Sequence, residues 1–178
     1  MKKGLLKKIF AISIVGAMSL SMMACGSKNK SLNENSNELV VGLSADYAPY
    51  EFHAMIDGKD TIVGFDVKLA EEIAKDMGKT LKIKEMKFDS LLGALSAGQI
   101  DMIISGMNPD PERAKKVDFS DIYYTAQHSV LVKKGDLSKY KNVEDLKNAK
   151  VGAQMGSTQA DITTDVIKAK DPSLLSNV

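Results

Sequence analysis

The chain has 178 residues, 44% hydrophobic and 26% charged, with a formal net charge of +1. That is the composition of one or two ordinary soluble domains. It excludes a nucleic-acid binder, which needs a strong basic excess, and with one cysteine it excludes a disulfide framework and supports no zinc site.

The basic residues are unevenly placed. Lys2, Lys3, Lys7 and Lys8 precede an uncharged run from Ile9 to Ala24, 16 residues long. This is the layout of a secretory signal, and it is short for a membrane span of about 20 residues. Residues 1–24 are therefore expected to be a signal peptide, and their removal leaves 20 basic against 23 acidic residues. Cys25 ends the run between Ala24 and Gly26. It reads either as a chance small hydrophobe or as a point of acylation. Residues 25–37 are rich in Ser and Asn and cannot bury a core, so they read as a flexible tether.

The folded part begins with an apolar strand, Glu38 to Leu43. Asp57-Gly58 predicts the turn of a surface hairpin. Asp66 is expected to cap a helix with Val67, Ala70, Ile73, Ala74 and Met77 on one face, closed by Gly78. Leu81, Ile83 and Met86 predict a second strand. A short helix starts at Asp89 or Ser90 and closes at Gly98. Asp101 to Ile104 predicts a third strand. The order β-α-β-α-β implies right-handed crossovers and a parallel sheet, an α/β fold spanning residues 38–126. Residues 127–178 form a further region. It is expected to start with a strand, Gln127 to Lys133, where the chain crosses over. Asn142 then caps a helix from Val143 to Lys147. Lys150 to Ala153 begins a second α/β unit, and Gly156-Ser157-Thr158 opens a helix to about Lys168.

Between the third strand and the next helix stand Ser105-Gly106-Met107-Asn108-Pro109, then Asp110-Pro111-Glu112-Arg113. The last four read as a helix start, with Asp as N-cap and Pro at the first helical position. Arg113 then lies in the first turn, beside free backbone N–H groups. A guanidinium there is a seat for a small carboxylate; the plain alternative is an exposed helix arginine. Ligands of parallel sheets bind beyond the carboxyl ends of the strands, which brings Tyr47 and Tyr50 toward Arg113. The tyrosines either pack or line a pocket. Ser105 and Asn108 are either turn residues or ligand contacts. Ser157, Thr158 and Gln159 are either a helix cap or a second set of donors. Asp46 either caps its loop or selects a cationic side chain. His53 and His128 are isolated, and Asp118 and Asp121 form no acid–base pair.

Five segments carry a resemblance in one order: Ala45 to Phe52, Val63 to Val67, Leu91 to Asp101, Ile104 to Tyr124, and Gly152 to Gln159. Together they resemble the bacterial family 3 extracellular solute-binding proteins, the amino-acid receptors of ABC importers. The resemblance runs from about Leu39 to Gln159. It implies a two-lobed periplasmic-binding-protein fold of type II, with parallel-sheet lobes, a first-lobe core at 38–126 and only the opening of the second lobe, a truncated form of the receptor. By the same resemblance the acidic partner of the ligand ammonium lies outside this sequence. Arg113 and Thr158 would hold the ligand carboxylate, with Ser157 and Gln159 beside them. Tyr47 would cover the ligand side chain, with Tyr50 as a wall. Ser105, the Gly106 carbonyl and Asn108 would meet the ammonium; the family usually has Thr or Ser where Asn108 stands. Cys25 resembles the acylated cysteine of a bacterial lipoprotein, with Met22 where a Leu is usual, and it would carry palmitate and anchor the chain outside the membrane. The implied partners are a polar or basic amino acid and an ABC permease; the protein would be a monomer without catalytic residue, metal or cofactor. Two other readings remain: an enzyme of dehydratase type on the same fold, and a ligand-sensing domain.

Overall fold

The computed structural model describes residues 37–168. Residues 1–36 and 169–178, with the expected signal peptide and Cys25, lie outside them. Strand β1 (Glu38–Leu43) is the centre of a parallel sheet of order β5-β1-β6, with β5 at Thr80–Glu85 and β6 at Met102–Ile103. Because side chains alternate along a strand, the two faces of β1 bury different partners. Leu39 and Val41 pack with Ala70 and Ala74 of helix α1 (Phe65–Asp76), and Leu43 packs with Val67. Val40 packs on the other side, against Leu91, Ala94 and Ile100 around helix α2 (Leu91–Ser96). Gly42 shares that side, and a β-carbon there would stand 2.5 Å from Ile100 Cδ1. A parallel sheet covered on both faces is the expected arrangement for β-α-β-α-β.

A second, antiparallel sheet lies beside it: β2 (Asp46–Tyr47), β3 (Glu51–Ile56) and β4 (Lys59–Val63). Asp57 and Gly58 have φ of 52° and 76°, the pair of positive angles that a two-residue hairpin turn requires. The expected hairpin is present, and β2 extends it to three strands.

Three expectations need correction. Asp66 does not cap α1. The cap is Gly64, and Asp66 is a helical residue whose buried carboxylate accepts from Gly106 N and Tyr123 Oη instead. The helix does end at Met77, with Gly78 at φ 64° and Lys79 N–H bonded to Ala74 O. The third strand is shorter than Asp101 to Ile104, because Asp101 spends its side chain on Val40 N (2.8 Å) as well as its amide on Val40 O (2.8 Å). Neither 127–133 nor 150–153 is a strand. An apolar alternation becomes a strand only beside a hydrogen-bonding neighbour. Among the described residues neither segment has one, and Leu131 is 99% exposed. Val143–Asn148 forms a 3₁₀ turn with a capping box between Asn142 and Asp145, close to the expected element.

Candidate functional site

Arg113 sits in a four-residue helix, α3 (Pro111–Ala114), too short to be stable alone. Asp110 holds it. One carboxylate oxygen accepts from Glu112 N (2.9 Å) and Arg113 N (3.0 Å), and the other pairs with Arg113 Nε at 2.8 Å. The free N–H groups expected beside Arg113 are therefore already bonded at Glu112 and Arg113. Arg113 as a whole is only 7% exposed. Nη1 donates to Asn108 O (2.7 Å), Nη2 to Gly156 O (2.8 Å), and the group lies 5.8 Å from the Phe88 ring centre. A guanidinium has five N–H donors. These bonds leave one on each terminal nitrogen without an acceptor among the described residues.

Gly156 belongs to the loop before helix α4 (Thr158–Lys168), so Arg113 ties two distant segments together. A second tie runs beside it: Asn108 Nδ2 donates to Thr158 Oγ1 at 3.1 Å. Ser157 acts as a cap, its hydroxyl accepting from Ala160 N (3.1 Å) while donating to Gln154 O (2.7 Å). Its hydroxyl hydrogen is thus committed to the protein. Thr158 Oγ1 lies 3.4 Å from Gln159 Oε1.

Opposite stands an aromatic wall. Tyr47 and Tyr50 stack with ring centres 5.0 Å apart. Tyr50 continues edge-on to Tyr124 (5.3 Å) and to Phe65 (6.4 Å), and Phe65 stacks on Tyr123 (6.2 Å). The hydrogen bond with Tyr124 pushes the Tyr50 phenol up to about 12, so it is neutral at physiological pH. Burial and the neighbouring Asp66 raise Tyr123 as well. Gly106, at φ 55°, lies close to the Tyr47 ring, and a β-carbon there would meet Cε1 at 3.3 Å. Tyr123 and Tyr124, like Phe88, Phe119 and Tyr140, line the cleft without having been named from the sequence as site residues. Tyr123 and Tyr124 end the Ile104 to Tyr124 segment of the resemblance without a site role assigned to them, and their packing against Tyr50 and Phe65 shows that role.

The two sides enclose a cleft of about 860 Å³. Tyr47, Tyr50, Ser105, Gly106, Asn108, Arg113, Ser157, Thr158 and Gln159 all line it. Glu51, Tyr123 and Tyr124 line it too. Ser105 is committed to holding its loop: its hydroxyl donates to Glu51 Oε1 (2.7 Å) and accepts from Ser44 N (3.0 Å). Asp46 lines the cleft and takes the Gln154 amide at 3.0 Å, which fits neither of its two sequence readings alone. His128 lines the cleft, whereas His53 lies on the outer hairpin between Asp60 and Glu85. Among the described residues no cluster of three His, Cys, Asp or Glu is arranged to hold a metal ion. The cleft thus offers a part-spent guanidinium, neutral hydroxyls and aromatic faces. That inventory suits a small zwitterion with an organic side chain.

The model of the bacterial extracellular solute-binding proteins, family 3, matches residues 39–178. The arginine-binding extracellular protein ArtP of Bacillus subtilis is 42% identical over 156 residues, covering 88% of this chain and 59% of ArtP. Among solved structures, the substrate-binding protein AbpA of Streptococcus pneumoniae bound to L-arginine aligns with a TM-score of 0.72 at 44% identity, over 74% of this chain and 56% of AbpA. The ancestral amino-acid-binding protein AncCDT-1, a precursor of cyclohexadienyl dehydratase, aligns with a TM-score of 0.69 at 38% identity, over 74% of this chain and 58% of that protein. The chain thus spans between half and two thirds of the length of these relatives, and it has part of their mixed α/β fold with its parallel sheet. With the family match extending over most of its length, the chain belongs to the bacterial extracellular solute-binding proteins, family 3.

Proposed function

We propose that this chain is the extracytoplasmic substrate-binding component of an amino-acid ABC importer, and that the cleft is where the amino acid binds. The observation that carries this reading is Arg113: buried on the cleft wall, held rigid by Asp110 and Asn108, with one N–H on each terminal nitrogen still unspent. A ligand carboxylate accepts those two N–H groups and the Thr158 hydroxyl. Tyr47 covers the ligand side chain and Tyr50 backs it. Asn108 and the Gly106 carbonyl receive the ammonium, Gln159 closes the rim, and Ser105 and Ser157 hold their loops in place. Residues 38–126 act as the first lobe and 127–178 as the hinge and the start of the second, closing on the ligand by a hinge motion. The side chain accepted is basic or amide-bearing. Asp46 on the cleft wall supports this, and so does the arginine bound to AbpA.

Calorimetric titration with L-arginine and L-glutamine tests this. Arg113→Ala is expected to cost about 2–5 kcal/mol of affinity, since it removes charge-assisted bonds and leaves a carboxylate unpaired. Arg113→Lys recovers part of it, because an ammonium cannot present two parallel N–H groups. An unchanged dissociation constant for Arg113→Ala removes Arg113 from the site. Likeness to AncCDT-1 makes a dehydratase-type enzyme the second reading. The same titration separates the two: binding heat saturates at one equivalent, whereas turnover keeps releasing heat.

Cys25 is proposed to carry the lipid anchor, with residues 1–24 removed as the signal peptide and 25–37 as the tether to a monomeric receptor that meets its permease at the membrane. Cys25→Ser is expected to abolish labelling by a radioactive fatty acid and to release the protein from the membrane fraction. Equal labelling of both forms sinks the anchor.

A further inference from the structure

We propose that Glu51 is a positioning residue that stays protonated at neutral pH and shares its proton with Asp66, and that this buried acid pair fixes the Ser105–Gly106 loop on the cleft wall. The two side chains come from different elements, β3 and α1, and lie within hydrogen-bonding reach of each other. Both are buried, Glu51 at 1% exposure and Asp66 at 0%. Each uses one oxygen on the rest of the protein. Glu51 Oε1 accepts from Ser105 Oγ (2.7 Å), while Asp66 Oδ2 accepts from Gly106 N (2.8 Å) and Tyr123 Oη (3.0 Å). The remaining oxygens, Glu51 Oε2 and Asp66 Oδ1, are buried with no donor.

Two buried carboxylates side by side, each with an orphan oxygen, is an arrangement that full ionisation makes very unfavourable. No lysine, arginine or histidine forms an ion pair with either one among the described residues. The groups that face the pair add no positive charge: Asp46 from β2, the Tyr50 and Tyr123 phenols, and the neutral Ser105 and Gly106. A single proton on the pair removes one of the two like charges and gives a buried orphan oxygen a hydrogen to carry. Asp66 already receives two donated bonds and Glu51 only one, so Glu51 is the better carrier. In agreement, burial above all pushes the Glu51 carboxyl up to about 8; the Ser105 bond is the next largest influence and lowers it, and the charge of Asp66, its bond and the charge of Asp46 raise it further. The same two carboxyls hold the Ser105 hydroxyl and the Gly106 amide, consecutive residues that border the cleft under Tyr47. Losing the proton puts two charges in one dry site, and that loop is what moves to let water in.

The test is a pH titration of the full chain followed by carbon NMR of the side-chain carboxyls, with Glu51 assigned through its bonds, and by the Gly106 amide resonance. Glu51 is expected to titrate near the value of about 8, well above the ordinary 4.5, with the Gly106 amide following the same midpoint. Glu51→Gln is expected to fold and to lose that transition, because its amide donates to Asp66 as the acid does while its carbonyl still accepts from Ser105. Asp66→Asn is expected to lower the Glu51 midpoint. A Glu51 midpoint near 4.5 overturns the proposal, and so does a Glu51→Gln chain that fails to fold. The titration needs no ligand, so its outcome is independent of the amino-acid reading.

Discussion

Gly64 sets the aromatic wall of the cleft. It has φ of 136°, and a β-carbon on it would stand 2.1 Å from Tyr50 O. The close approach has a purpose: Phe65 N donates to Pro49 O (3.1 Å) and Asp66 N to Tyr50 O (2.9 Å), so the start of α1 grips the loop that carries both tyrosines. Helix and loop meet backbone to backbone, and there is no room for a side chain. Gly64→Ala is expected to destabilise the fold by about 1–3 kcal/mol, from the strained φ alone, with the clash adding to it. It should also separate Tyr50 from Phe65, which a loss of near-ultraviolet tyrosine ellipticity would report. An unaltered denaturation midpoint would show that the loop yields without cost. Gly64 illustrates what a sequence can convey at this scale. A glycine before Phe65-Asp66 marks a turn, but nothing in the string says that the backbone of Tyr50 passes against it.

Elements whose partners are near in sequence were the legible ones. The apolar run of β1, the apolar face of α1 with Gly78 behind it, the Asp57-Gly58 turn and the Asp110-Pro111 helix start are each decided within a few residues. That β5, β1 and β6 run parallel followed from the β-α-β-α-β order, though their arrangement in the sheet did not. What failed depended on distant partners. Asp66 looked like a cap because its neighbours are a helix, yet its carboxylate is drawn to residues 40 and 57 positions away. Residues 127–133 look like a strand, but among the described residues no strand pairs with them. The site shows the same division. All nine residues named from sequence reach the cleft, while the commitment of Ser105 to Glu51 and of Arg113 to Gly156 spans separations no local pattern encodes. Helix α3 links the two cases. Its four residues hold together through Asp110, which caps two amides and pairs Arg113 Nε. Asp110→Ala is expected to cost about 1–3 kcal/mol, from the lost cap and an unpaired buried N–H, whereas Asp110→Asn keeps the cap and costs less. Denaturant midpoints of the two variants decide this; equal losses would mean that the charge, not the cap, holds the helix.

Across the whole molecule, the hairpin sheet and the parallel sheet are joined by side chains that titrate. His53 on β3 lies 3.0 Å from Asp60 on β4 and 3.0 Å from Glu85 on β5, so its protonated ring bridges the two sheets. The bond to Glu85, then the bond to Asp60, raises its pKa above the ordinary 6.5. A raised folded value means that the native state holds this proton more tightly than the unfolded chain does. The stabilisation is therefore complete below 6.5 and is lost as pH rises through the higher folded value. Glu51, inside the hairpin sheet, acts in the same direction. Its proton is held to about 8 in the native state against 4.5 in the unfolded one, so that contribution fades as pH climbs between those values. Both groups make the fold weaker in mild alkali, opposite to the usual carboxylate that gains stability as it ionises. The expected outcome is a melting temperature that falls between pH 6 and pH 9 for the full chain. His53→Gln should remove part of the slope and Glu51→Gln another part, with the double variant close to flat. Glu51 and His53 stand two positions apart on the same face of β3 but share no hydrogen-bond partner, so their effects should come close to adding. A melting temperature that rises over this range would show that other groups govern the pH response. A fall that survives in the double variant would show that neither proton is the one that joins the sheets.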